Sequence, residues 1–273
     1  MDPAMLELHF LASGSRGNAT LLRWGSFRLL IDCGLSAREL ACRFETLGER
    51  IEDLDALCVT HEHSDHVTGL AGLLRRHAYQ LPVHLTEPTA ERLRIGRRAR
   101  AALAPIAPGR PFQAGPLEIV PFRVSHDAAE PVGFRIRLPD GRALGLATDL
   151  GFPNPEAVEA LAGCELIGLE SNHDPDLLTA GPYPAFLKRR IRSRKGHLSN
   201  ADAAGLLGRI ASDRLQALFA LHLSEINNRH KLARAALRQG LDGLGLSRVP
   251  VQVAGQHAST SFGRSARGQL CLL

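Results

Sequence analysis

Ala56-Leu57-Cys58-Val59-Thr60-His61-Glu62-His63-Ser64-Asp65-His66 places an apolar run directly before four metal-ligand side chains in six positions. The run Ala56 to Thr60 has the composition of a buried strand, and helical spacing resumes at Val67, so the cluster falls at a strand-to-helix junction. Imidazole and carboxylate are ligands suited to zinc and related divalent ions. In an extended stretch, residues two apart share a face, so His61 and His63 can grip one ion, while Asp65 and His66 at the helix start reach a second. Two ions about 3.5 to 4 Å apart polarise a phosphoryl or carbonyl oxygen and activate water. A lone histidine is more often packed or merely solvated, and His9, His77, His84, His230 and His257 are read that way.

A dinuclear site needs further ligands, and the chain offers them at strand ends. His126 follows Leu117 to Val124, Asp149 follows Arg142 to Thr148, and His222 follows Ala217 to Leu221. Singly, His126 and His222 can each be a packed core histidine. Their shared placement, where an apolar strand gives way to a loop, favours ligation. The two oxygens of Asp149 allow it to bridge both ions. Asp32 ends the run Phe27 to Ile31 and either steadies the His61 to His66 loop or serves as a turn aspartate before Gly34.

Further strands are expected at Leu6 to Leu11, Thr20 to Trp24, Val83 to Thr86, Val132 to Leu138, Leu166 to Glu170, Val249 to Val253 and Gln269 to Leu273. Helices are expected at Ala37 to Leu47, Val67 to His77, Thr89 to Arg98, Asn154 to Ala162, Ala185 to Ser193, Ala201 to Ile210 and Asn227 to Gln239. Gly25-Ser26 and Asp140-Gly141 are turn signals, the second suiting a two-residue hairpin. No repeat or low-complexity linker interrupts the 273 residues, so 1–273 reads as a single domain. Hairpin-linked strands dominate this order, favouring a layered α/β sandwich over a doubly wound sheet.

The chain is 44% hydrophobic and 22% charged, and no segment has the apolar length to span a bilayer. The first residues lack a secretory signal, and Met5 is a candidate natural start. Five scattered cysteines without a C-x-x-C pair fit reduced thiols in a cytoplasmic protein. The net charge is +5, and Lys188-Arg189-Arg190-Ile191-Arg192-Ser193-Arg194-Lys195 packs six positive charges into eight residues. Such density fits an anionic polymer, nucleic acid foremost, against the plainer alternative of a solvated helix face.

Taken together, these residues resemble the metallo-β-lactamase superfamily. Its motif H-x-H-x-D-H is matched by His61, His63, Asp65 and His66, and its later His, Asp, His order by His126, Asp149 and His222. Ser13-Gly14-Ser15-Arg16-Gly17-Asn18 and Ile31-Asp32-Cys33-Gly34 are similar to the opening strands of that fold. The resemblance implies a four-layer αββα sandwich with metals at one edge. Ser125-His126-Asp127-Ala128, Glu170-Ser171-Asn172-His173-Asp174, Gly181-Pro182-Tyr183-Pro184 and Gly196-His197-Leu198-Ser199-Asn200 look like the YycJ/WalJ-like group, which implies a nuclease with 5′ exonuclease activity on DNA. Gly196-His197 with Asp202 is also similar to the Ser-Gly-His motif of the β-CASP nucleases, whose histidine contacts the scissile phosphate. Lys195 stands where those enzymes have serine, and no separate β-CASP domain is evident.

The expected protein is therefore a dinuclear metal-dependent phosphodiesterase, zinc first, with manganese or iron as alternatives. Its partner is nucleic acid, DNA before RNA, with Asp65 and His197 as catalytic residues. His173 and the cations Arg189, Arg190, Arg192 and Arg194 are candidate substrate contacts, and Asp32 a support behind the ligands. Two other functions compete: hydrolysis of a small ester, thioester, lactone or cyclic phosphodiester, and a non-catalytic metal-containing nucleic-acid-binding module.

Overall fold

The computed structural model describes residues 6–264 and 270–272. In chain order the strands are β1 (Leu6–Ala12), β2 (Ala19–Trp24), β3 (Phe27–Ile31), β4 (Ala56–Cys58), β5 (Val83–Thr86), β6 (Leu103–Ile106), β7 (Phe112–Ala114), β8 (Leu117–Arg123), β9 (Val132–Arg137), β10 (Ala143–Ala147), β11 (Leu166–Glu170), β12 (Ala217–Leu221), β13 (Val251–Val253), β14 (Thr260–Arg264) and β15 (Leu270–Leu272). The helices are α1 (Ala37–Thr46), α2 (Ser64–Val67), α3 (Leu70–Arg76), α4 (Glu87–Arg92), α5 (Arg97–Arg100), α6 (Pro155–Leu161), α7 (Pro175–Ala180), α8 (Ala185–Ile191), α9 (Asn200–Ile210) and α10 (His230–Gly243). Residues 269 and 273 of the expected last strand, and the candidate start Met5, lie outside the described residues.

Two compact units form. The first comprises 1–107, 114–116 and 255–273, and the second 108–113 and 117–254. The first unit holds a sheet ordered β15-β14-β1-β2-β3-β4-β5-β6, antiparallel from β15 to β3 and parallel from β3 to β6. Its core joins α1 (Leu40, Phe44) and α3 (Leu70, Leu73, Leu74) to the sheet residues Leu21, Leu30, Leu57 and Val83.

The sheet of the second unit runs β13-β12-β11-β10-β9-β8-β7, parallel from β13 to β10 and antiparallel from β10 to β8. Helices α6, α9 and α10 pack on it through Leu161, Leu206, Leu207, Leu237 and Leu241. Strands β10, β11 and β12 are buried at every position, which is why they read as continuous apolar runs rather than alternating ones. Antiparallel pairing takes four of the seven strand contacts in the first sheet, and parallel pairing three of the six in the second, so hairpins share the fold with parallel crossovers. Parallel strands place successive carboxyl ends along one edge, where open α/β sheets carry their functional groups.

Local departures from the expected elements have identifiable causes. The helix expected over Val67 to His77 is split, because the Gly69 amide bonds the Cys33 carbonyl at 2.8 Å and α3 begins afresh there. The helix expected over Thr89 to Arg98 separates into α4 and α5 around Gly96, which is extended (ψ 161°) as the N-cap of α5. Helix α10 starts at His230 rather than Asn227, because Asn227 and Asn228 are occupied in side-chain bonds. The unexpected β6 and β7 are sheet edges, and β6 contains Pro105, which an edge tolerates. Helix α7 was also unexpected, although Asp174 caps it and Pro175 opens it. At Asp140-Gly141 the loop has three residues, Pro139 to Gly141, with Gly141 at φ 86° and Leu138 N bonded to Arg142 O at 2.8 Å. Gly25-Ser26 is a two-residue turn, with Trp24 opposite Phe27.

Candidate functional site

In the first unit, Asp32 follows β3 in the left-handed region, at φ 60°. Its Oδ1 accepts the Thr60 amide at 2.8 Å, and its Oδ2 accepts from His66 Nδ1 at 2.7 Å. The strand end and the start of α2 are thereby tied to one buried carboxylate. With its Nδ1 proton committed to Asp32, His66 keeps its lone pair on Nε2, the arrangement seen behind metal-bound histidines, and that atom here accepts from Asn18 Nδ2 at 3.2 Å. The ring centroids of His61 and His63 are 4.5 Å apart, and those of His61 and His66 are 4.1 Å apart. Asp65 Oδ2 stands 3.6 Å from His66 Nε2. All four residues of the cluster therefore converge within this unit, and Asp32 bonds both the Thr60 amide and the His66 ring.

Two further residues shape this cluster, and neither was picked out by sequence. Thr60 Oγ1 lies 3.0 Å from His61 Nδ1, and the Asn18 amide donates to the Asp65 carbonyl at 2.7 Å. Gly34 lets that carbonyl sit where a side chain would begin: a Cβ there would lie 1.7 Å from the Asp65 oxygen.

In the second unit, Asp149 (φ 56°) and His222 (φ 55°) sit just beyond β10 and β12, both in the left-handed region that non-glycine residues seldom adopt. Both are buried, as is His126. His126 Nδ1 donates to the Gly196 carbonyl at 3.1 Å, and His222 Nδ1 donates to Glu170 Oε1 at 3.0 Å. Each ring consequently presents Nε2, and both Nε2 atoms stand 3.6 Å from Asp149 Oδ1. That is too long for a hydrogen bond. It is close to the separation of roughly 3.3 Å that bonds of about 2.0 to 2.1 Å give two donors around a tetrahedral ion. Two imidazole lone pairs and a carboxylate oxygen at this spacing fit a divalent cation by donor chemistry and by distance.

Glu170, which heads one of the motifs of the sequence resemblance but is given no role there, closes an otherwise apolar, fully buried strand. Its Oε1 also accepts from His197 Nδ1 at 2.8 Å, and its Oε2 accepts the amides of Leu150 at 2.8 Å and Leu198 at 3.1 Å. Asp149, Glu170, His197 and His222 each offer a ligand atom, all within 4.8 Å of one another. Burial alone would raise the Glu170 pKa, but the charge and hydrogen bond of His197 and the hydrogen bond of His222 outweigh it and pull it to about 2. Burial pulls the His197 pKa down, and the charge and hydrogen bond of Glu170, with Asp149, more than offset this and hold it above the ordinary imidazole value. For His126, burial dominates over Asp149 and lowers the pKa, which favours the neutral, ligating ring.

His197 does not cap the helix that follows it; Ser199 does, accepting from the Asp202 amide. His173 is buried, and its Nδ1 has no hydrogen-bond partner among the described residues. Burial, opposed by the Glu170 charge, lowers its pKa to about 4.

The basic run lies on α8 and the turn after it, and much of its charge is already engaged. Arg190 pairs with Asp127 at 2.7 Å, Arg192 bonds Thr179, Lys188 Nζ bonds the Thr179 carbonyl at 2.7 Å, and Arg194 lies 3.5 Å above the Phe152 ring. Arg189 is exposed and makes no ion pair among the described residues.

The turn joining the run to His197 depends on Gly196, where a Cβ would lie 2.1 Å from the Ile191 carbonyl oxygen and 2.3 Å from that of Arg190. Gly196→Ala must displace both His197 and the carbonyl that holds His126. A misplacement of this kind is expected to lower kcat about 100-fold, on small and polymeric substrates alike. Steady-state kinetics on both checks it.

Among the described cysteines, Cys33, Cys42, Cys58 and Cys164 are free. Burial pushes the Cys164 thiol up to about 11 and raises those of Cys33 and Cys58 as well, so none of these three is a nucleophile at neutral pH. No helix among the described residues is long and apolar enough to cross a membrane.

Residues 27–219 match the family model described as the Beta-lactamase superfamily domain. The chain is 37% identical over 244 residues to the exodeoxyribonuclease YycJ of Bacillus anthracis, covering 88% of this chain and 91% of that protein. To the exodeoxyribonuclease WalJ of Streptococcus pneumoniae it is 33% identical over 241 residues, 87% of this chain and 88% of the relative. Among solved structures, the metallo-β-lactamase fold protein YhfI from Bacillus subtilis matches with a TM-score of 0.71 at 16% identity, over 94% of this chain and 99% of that one.

Proposed function

Since the chain belongs to the β-lactamase superfamily, in the branch of the YycJ and WalJ exodeoxyribonucleases, we propose that it is a metal-dependent phosphodiesterase that degrades DNA from a 5′ end. The observation that carries this is Asp149 Oδ1 with the Nε2 atoms of His126 and His222 each 3.6 Å away and each ring anchored at Nδ1. In this proposal His61, His63, Asp65, His66, His126, Asp149 and His222 hold two divalent ions, with zinc preferred to manganese or iron. The ions would polarise the phosphoryl oxygens and lower the pKa of a water from about 15.7 to about 7. The proposal treats 1–273 as one functional domain.

The chain's own groups take the remaining work. Asp32 and Glu170 hold imidazole rings in orientation. Asp65 orients the attacking water by accepting its hydrogen bond. His197, with Nδ1 committed to Glu170, presents Nε2 to the leaving oxygen and gives it a proton as the P–O bond breaks. The raised His197 pKa supports that role. His173 and the α8 run contact the strand, Arg189 by direct charge and Arg190, Arg192 and Arg194 after exchanging their present partners. Free thiols and nucleic acid as substrate support a cytoplasmic setting.

End-labelled single- and double-stranded DNA and RNA, with and without a 5′ phosphate, should be incubated with chelator-stripped protein reloaded with zinc, manganese or iron. Stepwise shortening of DNA from its 5′ end, absent without metal, is the expected result. Hydrolysis confined to small esters or cyclic phosphodiesters, or metal-independent binding without cleavage, would overturn it.

A further inference from the structure

Positive charge gathers a second time, on the first unit and away from the proposed ligands in sequence. Residues 75–100 carry seven arginines and no lysine against two glutamates, a formal +5 that equals the net charge of the whole chain. Helix α3 ends in Arg75-Arg76, α4 ends in Arg92, and α5 is Arg97-Arg98-Ala99-Arg100 and packs against α3.

The arginines divide by what they do. Arg100 is structural: its two terminal nitrogens bond the carbonyls of Ala90 at 3.1 Å and Leu93 at 2.9 Å, stitching α4 to α5. Arg76 pairs with Glu52 at 3.0 Å. Arg92, Arg94 and Arg97 are exposed and make no ion pair among the described residues. Arg98 is exposed and lies over the Tyr79 ring, 5.1 Å from its centroid. That ring stands on two consecutive non-glycine residues in the left-handed region, Ala78 at φ 49° and Tyr79 at φ 64°. Backbone of this kind persists where its surroundings impose it.

We propose that this corner, where α5 packs on α3, is a second polynucleotide-binding surface whose Arg92, Arg94, Arg97 and Arg98 take successive phosphates of a strand. It rests on the proposed nuclease function for the identity of the polymer. Like charges in this number repel one another unless an anion lies across them. Arginine's planar fork matches phosphate oxygens in pairs, which lysine cannot do. A lipid surface is disfavoured, because the exposed large hydrophobics among the described residues are Phe186, Ile226, Leu232 and Leu244, none of them on this corner. The corner would retain a long strand between successive cleavage events.

The test compares the metal-loaded protein with its triple variants Arg94→Gln/Arg97→Gln/Arg98→Gln and Arg94→Lys/Arg97→Lys/Arg98→Lys. Each is titrated by fluorescence anisotropy with a hydrolysis-resistant phosphorothioate oligodeoxynucleotide over a salt series, and hydrolysis of a dinucleotide is measured alongside. For the glutamine variant, the slope of log affinity against log salt should flatten by about two, and affinity at about 0.1 M salt should fall on the order of 100-fold. The lysine variant should keep most of the slope, and dinucleotide hydrolysis should be unchanged in both. An unaltered slope in the glutamine variant overturns the proposal even if the protein degrades DNA. If the unaltered protein binds the strand through these arginines yet cleaves nothing, the nuclease function fails and the surface stands. Loss of binding to phosphatidylglycerol vesicles with DNA binding intact overturns it in favour of a membrane.

Discussion

Asp149→Ala is expected to abolish metal-dependent hydrolysis and to lower bound metal measurably below that of the parent protein. Residues that only support a metal ligand cost about 10–100-fold when removed, so loss of the carboxylate facing both Nε2 atoms should exceed the top of that range. Asp149 lies outside the strands and helices, so circular dichroism of the variant should match that of the parent. Metal analysis after stripping and reloading, followed by hydrolysis of a small phosphodiester and of DNA, checks it. Parent-level rates on either substrate would refute a mechanism that needs this residue.

Glu170→Gln should produce the second largest effect, and a different one. The substitution keeps the shape but removes the charge that holds His197 and His222 through a single oxygen. A fall of about 10–100-fold in kcat is expected, with KM for DNA little changed. The pH profile separates this from a general loss of packing. Glu170 holds the His197 pKa up, so without it that pKa drops. If His197 donates the proton, activity lost as pH rises through its pKa will be lost at lower pH in the variant. An alkaline limb that stays in place would remove His197 from the proton-donor role.

The first unit's share of the candidate site stood out because four ligand-type residues crowd into six positions, and the fold's strand-to-helix junction there needed only periodicity to see. His126, Asp149 and His222 were legible by a weaker regularity, each just past an apolar run. Glu170 was not, because one carboxylate at the end of a strand looks like any other until His197 and His222, 27 and 52 residues away, turn towards it. The basic run looks uniform in the sequence, but its members differ in what they touch. Arg190 meets Asp127 across 63 residues of chain, and no local pattern tells a paired cation from a free one. Residues 75–100 escaped notice for the opposite reason: a strand and buried leucines divide arginines that folding regroups. Helix breaks at Gly69 and Gly96 were likewise decided by backbone partners or caps rather than by the periodicity around them.

Asp32, Asp149 and His222 share a trait with no bearing on charge or coordination: each holds a backbone angle that glycine would adopt without cost. Any effort to make this protein more heat-resistant will meet these positions first, because glycine there relaxes the chain. Glycine would relieve that backbone but would also remove the buried bonds that Asp32 and His222 make, and with them groups proposed to build the site. A thermostability library for this enzyme must therefore keep 32, 149 and 222 fixed and draw its gains from elsewhere.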